Sequence, residues 1–212
     1  ASAVMLVGKL IRKVALEYPQ ITLTVTESMS GRTSDIISKG HADLALVPNG
    51  QLLQDVEAET VLIETLYFGG LETDTLKGAG EISFEDVCKH PLIMPVKPNF
   101  VRGTLEQTAF DRGYALNIIG EQSSGRLLQS LLADGLGYSV LTWPSFFMNF
   151  KAGGFFVKKI VNPELPRPMT IAWQKKVILS PRVIAVRKVL RQVVVEAHAD
   201  GILRGDLQGN GA

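Results

Sequence analysis

Four short polar stretches carry the residues of this chain best suited to hold a small molecule: Ser2, Ser30-Gly31, Val101 to Thr104, and Ser123-Ser124. Each stands just ahead of, or at the start of, apolar residues at helical spacing, where a helix begins. The first backbone N–H groups of a helix lack intrahelical partners and sit at the positive end of its dipole. The chemistry that follows is the binding of an anion or a polar molecule, with no bond made or broken. Taken singly, each stretch is also an ordinary helix cap. Together, in two α/β units, they could converge on one cleft.

Reactive chemistry has little to work with. His41, His90 and His198 are far apart, and each lacks a second ligand at metal spacing. No serine sits in a Gly-x-Ser-x-Gly elbow. Cys88 stands two residues before His90 and reads as a small buried residue near a surface histidine. Gly135-Leu136-Gly137 follows a helix and precedes a strand, the reverse of a dinucleotide loop, so it reads as a helix stop and tight turn. Gly8-Lys9 lacks the glycine spacing and the Ser/Thr of a phosphate loop. The expectation is therefore no catalytic residue, no metal and no cofactor.

The balance of the 212 residues narrows the partners. A formal net charge of +1 leaves no large basic field for nucleic acid. The one cysteine excludes an intramolecular disulfide and suits a reducing cytosol. No apolar run approaches the ~20 residues that span a bilayer. The N-terminus lacks the basic, apolar, small-residue order of a signal peptide and reads as the start of a folded domain, cut from a longer chain.

The elements that must position these residues alternate. Val4, Val7, Leu10, Ile11, Val14 and Tyr18 predict a helix stopped by Pro19, with Met5, Leu6 and Leu16 widening its apolar face. That breadth fits burial within the chain or contact with a second subunit. Ile21 to Val25 predicts a half-exposed strand, Ser30-Gly31 opens a helix closed by Gly40, and Asp43 to Val47 predicts a strand. The order is a parallel-sheet pattern. Thr65 to Leu71 reads as an extended segment leaving this first unit.

The second unit continues with a short capped helix at Ser83 to Cys88, a strand at Pro91 to Val96, a helix at Gly103 to Arg112 and a strand at Leu116 to Ile119. Ser123-Ser124 cap a helix carrying Leu127, Leu128, Leu131 and Leu132 that Gly135 ends. Tyr138 to Leu141 and Phe155 to Val161 predict strands, with Pro144 as a breaker. Met169 to Trp173 is a strand that could lead back. Arg182 to Ala197 is a final amphipathic helix whose Arg187, Lys188 and Arg191 form a solvated basic face. The tail GDLQGNGA reads as disordered.

Four segments, in this order, resemble the effector-binding domain of LysR-type transcriptional regulators. They are YPQITLTVTESMSGRTSDIISKGHADLALVP, ETLYFGGLE, HPLIMPVKPNFVRGTLEQTAFDRGY and GEQSSGRLLQSLLADGLGYSVLTWP. The resemblance covers nearly the whole chain. It implies an α/β fold of two Rossmann-like subdomains joined by two crossover strands, like a type 2 periplasmic binding protein. Subdomain I would be residues 1–64 plus 170–212, and subdomain II residues 65–169. It implies a small polar or anionic effector bound between them, no enzymatic activity and a cytoplasmic location.

The family pattern carries effector-binding positions onto Ser2, Ser30, Asn99, Phe100 and Val101. Thr104, Ser123 and Ser124 join them as helix-start residues. Val101 stands where some members carry a hydroxyl, and Pro48 where some carry a basic residue, which leaves the ligand open. The resemblance further implies a homodimer or higher homo-oligomer, with RNA polymerase as a possible partner. DNA would be bound only through an N-terminal winged helix-turn-helix that precedes this fragment, and no membrane is involved. The competing readings are an extracytoplasmic solute-binding protein of a transporter, and an enzyme on the same fold.

Overall fold

The protein, described here by a computed structural model, has residues 2–28 and 30–209 placed. It divides into two compact units, residues 1–64 with 167–212, and residues 65–166. The chain passes between them twice, at Glu64/Thr65 and at Pro166/Arg167.

Unit 1 contains α1 (Ser2–Glu17), α2 (Ser30–Ser38) and β1 (Ala45–Pro48), then the first half of β2, a strand that runs in all over Val56–Leu71. Returning chain adds β8 (Pro166–Gln174), α7 (Pro181–Ala199) and β9 (Asp206–Leu207). α1 buries Leu6 and Val14 against Val189, Val193 and Ala197 of α7. Ion pairs of Lys9 with Asp200 and of Lys13 with Glu196 flank that contact. Glu64 is buried and its Oε2 accepts from Arg167 Nη1. Burial pushes this carboxyl above the usual range, against the pull of the guanidinium.

Three expectations for this unit change. Ile21 to Val25 carries no strand assignment, although Ile21 and Leu23 still pack on the core. Alternation records which side chains are half-buried; a ladder also needs a backbone partner, and among the described residues none is paired there. The unit is accordingly not parallel: β1 pairs antiparallel with β8, Ala45 opposite Ala172. The tail is ordered through Gln208, because β9 pairs antiparallel with β2 at Leu62 and Ile63. Residues 210–212 lie outside the described residues.

Nor is the basic face of α7 simply solvated. Arg187 stands over the Trp173 ring at 4.7 Å, and Arg191 donates to Glu59 Oε1 and to the Gln208 carbonyl. These guanidiniums are consumed by the unit itself.

Unit 2 contains the second half of β2, β3 (Ala79–Ser83), α3 (Phe84–Cys88), β4 (Leu92–Pro95), α4 (Phe100–Arg112) and β5 (Ile118–Gln122). It continues through α5 (Gly125–Ala133), β6 (Ser139–Thr142), α6 (Trp143–Ala152) and β7 (Phe155–Val161). β2 pairs antiparallel with β6 on one side and β7 on the other, and β3 joins β7 in parallel. β4 and β5 form a parallel pair, linked to the Tyr138 end of β6 by an isolated bridge at Leu92. Phe68, Phe84, Leu92, Met94, Leu105 and Phe156 centre the core.

Gly69 and Gly70 allow close packing on β2. A Cβ at Gly69 would stand 2.9 Å from the Phe146 ring, and one at Gly70 2.7 Å from the Tyr138 ring. Pro144 breaks nothing: it occupies the first turn of α6, where a missing N–H costs no hydrogen bond. α6 and β3 are therefore additions to the elements the sequence pattern predicts.

Candidate functional site

The two strands of the β4–β5 pair end together, with Pro95 opposite Gln122 and Val96 N–H donating to the Gln122 carbonyl at 2.9 Å. Each strand is followed by a helix, so the N-termini of α4 and α5 start from the same end of one parallel pair. That end is where α/β units present backbone N–H groups to small polar ligands.

The α4 terminus is built from Asn99 to Thr104. Asn99 is the N-cap, and its side-chain oxygen accepts from Arg102 N–H at 3.3 Å. The helix starts at Phe100, three residues before the predicted Gly103, because this cap closes the first turn. Phe100 and Thr104 are half-buried and, with Gly103, Gln107 and Thr108, line an open groove of about 460 Å³. Val101 differs: its side chain is buried in the core of unit 2, so it offers this site only backbone.

Sequence reasoning missed Arg102, which organises this terminus. Its side chain is only 7 % exposed. Nε donates to Glu106 Oε1 at 2.6 Å and Nη2 to Glu121 Oε1 at 2.7 Å. Burial opposes the guanidinium charge, but the two carboxylates more than offset it, so its pKa is raised. Lys97 Nζ lies 2.7 Å from Glu106 Oε2 and extends the chain of charges. Lys97 first, then Arg102, holds the Glu106 carboxyl below the usual range. The α4 first turn is thereby tied to the end of β5. The spacing of Arg102 and Glu106 is a visible helical pair; nothing local marks Glu121 as the third member.

The α5 terminus starts at Ser124, the N-cap, whose Oγ accepts from Leu127 N–H at 3.4 Å. Ser123 is exposed beside it. Leu128 and Leu132 anchor the helix in the interior, and Gly135 ends it at φ +68°. Gln122, also missed, is 5 % exposed, and its Oε1 accepts from the Ser124 N–H. The signal available was position alone, as the last β5 residue before two serines.

Asn99, Phe100, Thr104, Ser123 and Ser124 therefore belong to paired helix starts within unit 2. Ser2 and Ser30 are the first residues of α1 and α2 in unit 1, and their side chains lie outside the described residues. Near Ser30, the Thr33 and Ser28 hydroxyls are 2.7 Å apart and brace the first turn of α2.

Cys88 is buried and burial pushes its thiol up, which disfavours the nucleophilic thiolate. His90 stacks on Phe68 with centroids 5.2 Å apart, and burial pushes its pKa down. Among the described residues no three His, Cys, Asp or Glu side chains are grouped to hold a metal ion, and no helix is long and apolar enough to cross a membrane.

The sequence model of the family described as LysR substrate binding domain matches residues 1–195. The HTH-type transcriptional regulator BbuR of Bordetella bronchiseptica is 22% identical over 176 residues, 83% of this chain and 54% of that protein. The nitrogen assimilation regulatory protein nac of Klebsiella aerogenes is 24% identical over 185 residues, 87% of this chain and 60% of that protein. The chain thus spans little more than half the length of these relatives.

Among solved structures, the regulatory domain of CcmR from Synechocystis PCC6803, in complex with 2-PG, superposes with a TM-score of 0.80 at 17% identity, covering 90% of this chain and 92% of that one. The effector binding domain of QuiR in complex with shikimate gives 0.74 at 15% identity, covering 90% of each. The fold is that of a type 2 periplasmic binding protein, an α/β architecture with mixed strand directions.

Proposed function

Because this chain belongs to the LysR substrate-binding domain family, we propose that it is the effector-sensing part of a LysR-type transcriptional regulator, and that its ligand is a small polar or anionic metabolite. The observation that carries the reading is the pair of capped helix N-termini at the shared end of β4 and β5. They supply backbone N–H groups and the positive ends of two dipoles to a polar ligand. The candidate contacts are Asn99, Phe100, Thr104, Ser123 and Ser124 in unit 2, the backbone of Val101, and Ser2 and Ser30 in unit 1.

The domain binds and does no chemistry. The buried thiol of Cys88 and the packed ring of His90 support that reading, as do relatives that are regulators of transcription. The same relatives favour a regulator over the solute-binding protein of a transporter. In the complete protein a helix-turn-helix domain would bind DNA, with RNA polymerase as a further partner, in the cytoplasm. Ligand binding acts by preferring one of two states, and shifts the equilibrium only by its differential affinity for them.

The homodimer of the reading uses α1. Val4 and Ile11, seven residues apart and so on one face of it, are exposed, Val4 by 59 %. An apolar stripe of this kind is covered in an assembled protein.

Thermal-shift screening against a panel of small carboxylates, phosphates, sugars and amino acids, followed by calorimetry, tests the function. At least one compound is expected to raise Tm and bind with 1:1 stoichiometry. A panel without a single saturable hit would count against a sensor.

A further inference from the structure

The end of β5 holds a hydrogen-bond donor that the fold leaves unused. Gln122 closes the β4–β5 ladder with its carbonyl, which accepts from Val96 N–H at 2.9 Å. Its side chain is turned to the start of α5, where Oε1 accepts from the Ser124 N–H. That bond fixes the carboxamide orientation, because only the oxygen can accept, and Nε2 becomes the other end of the group. Nε2 is buried and, among the described residues, donates to no protein atom. Buried donors are ordinarily paired, so an orphan at a helix start calls for an acceptor that arrives from outside.

The electrical setting selects the acceptor. α5 is nine residues long, and its first turn carries no acidic residue. The N-cap hydroxyl of Ser124 takes Leu127 N–H, which leaves other first-turn N–H groups without intrahelical partners. Glu121, the neighbouring carboxylate, alternates to the opposite face of β5 and is engaged by Arg102. A buried neutral donor and a helix dipole, with no carboxylate in the first turn, suit an oxygen bearing negative charge.

We propose that Gln122 Nε2 and the first-turn N–H groups of α5 form a subsite for one oxyanion group, a carboxylate or a phosphate, of the effector. Gln122 is then a specificity-determining residue of the sensor, a role that rests on the function proposed above. Ser124 serves the subsite by holding the carboxamide and starting the helix. Its own hydroxyl is committed to the cap.

The test uses ¹⁵N-labelled protein titrated with sodium phosphate and, separately, sodium acetate, with sodium chloride at matched ionic strength as the control. The Gln122 side-chain NH₂ and the backbone amides of Ser124, Gly125 and Arg126 are expected to shift saturably with at least one of the two anions. A stronger phosphate response assigns a phosphoryl group, and a stronger acetate response a carboxylate. Gln122→Glu keeps the acceptor for Ser124 N–H and replaces the donor by a negative charge; it should weaken the response at least tenfold with an unchanged amide spectrum elsewhere. If that variant does not fold, Gln122→Met, close in length but without the donor, takes its place.

Absence of saturable shifts with both anions, or equal responses in variant and wild type, overturns the subsite. A metabolite from the thermal-shift panel that binds wild type and Gln122→Glu equally also overturns it, while leaving the sensor intact. Localised anion shifts with no panel hit would support the subsite and reject the sensor.

Discussion

Arg102 Nη2 donates to Glu121 Oε1 at 2.7 Å, across nineteen positions of sequence, and so fastens the first turn of α4 to the end of β5. The two helix starts proposed to face the ligand are held by this bond as well as by the β4–β5 ladder. A guanidinium this buried depends on its two carboxylates, because the loss of either would leave buried charge less well compensated.

Removing that tie should loosen the unit. Arg102→Met keeps the aliphatic stem and deletes the charge. Glu121 is 48 % exposed, so its lost partner is partly replaced by water. A destabilisation of about 1–3 kcal/mol is expected. Urea denaturation would measure it, and a double-mutant cycle with Glu121→Gln should return a non-zero coupling. Additivity of the two changes would show that the bond contributes nothing.

The Gly70 position should not accept a methyl group. Its Cβ would meet the Tyr138 ring at 2.7 Å, and Tyr138 is packed against Phe68, His90 and Phe156. Gly70→Ala is expected to cost about 1–3 kcal/mol through overpacking. An unchanged midpoint in chemical denaturation would mean that the ring moves freely.

His90 makes stability depend on pH in a definable window. Burial holds its folded-state pKa below the ordinary value of about 6.5, with Asp86 opposing. The unfolded chain therefore binds the proton more readily, and stability falls as pH drops below about 6.5 toward the folded pKa. Denaturation midpoints from pH 7.5 to pH 5 should decline, and His90→Gln should flatten the curve. An NMR titration placing the His90 midpoint at or above 6.5 would contradict this.

Glu106 acts at lower pH with the same direction. Lys97 and Arg102 hold its carboxyl below the usual range, so its contribution is present above about pH 4.5 and is lost as pH falls through the folded value. Glu106→Gln should reduce the acid-induced loss of stability between pH 5 and pH 3. An identical acid limb in the variant would remove Glu106 from the account.

The α1 face should govern assembly. Val4→Glu changes a side chain that is largely exposed, so fold stability should move by less than about 0.5 kcal/mol. Sedimentation velocity is expected to show a dimer for wild type and a monomer for the variant. The same distribution for both proteins would place the interface elsewhere.

What the sequence determined by itself is local. A cap, a first turn and an apolar stripe lie within a few residues of one another, so the starts of α2 and α5, the stop at Gly135 and the strand Phe155–Val161 were all legible. The order of such elements also carried the family. Pairing is different, because it depends on which distant backbone arrives. Ile21 to Val25 has strand alternation and no strand partner among the described residues, while Asp206–Leu207 has little strand character and pairs with β2. Pro144 could end one element or begin the next, and only the helix that follows decides. The candidate site divides in the same way. Ser124 and the helix-start position of Thr104 were readable as parts of helix starts; Asn99 came from the family pattern. The Arg102–Glu121 tie and the unused donor of Gln122 come from the register of β4 against β5, a long-range choice set by burial of both strands in one core.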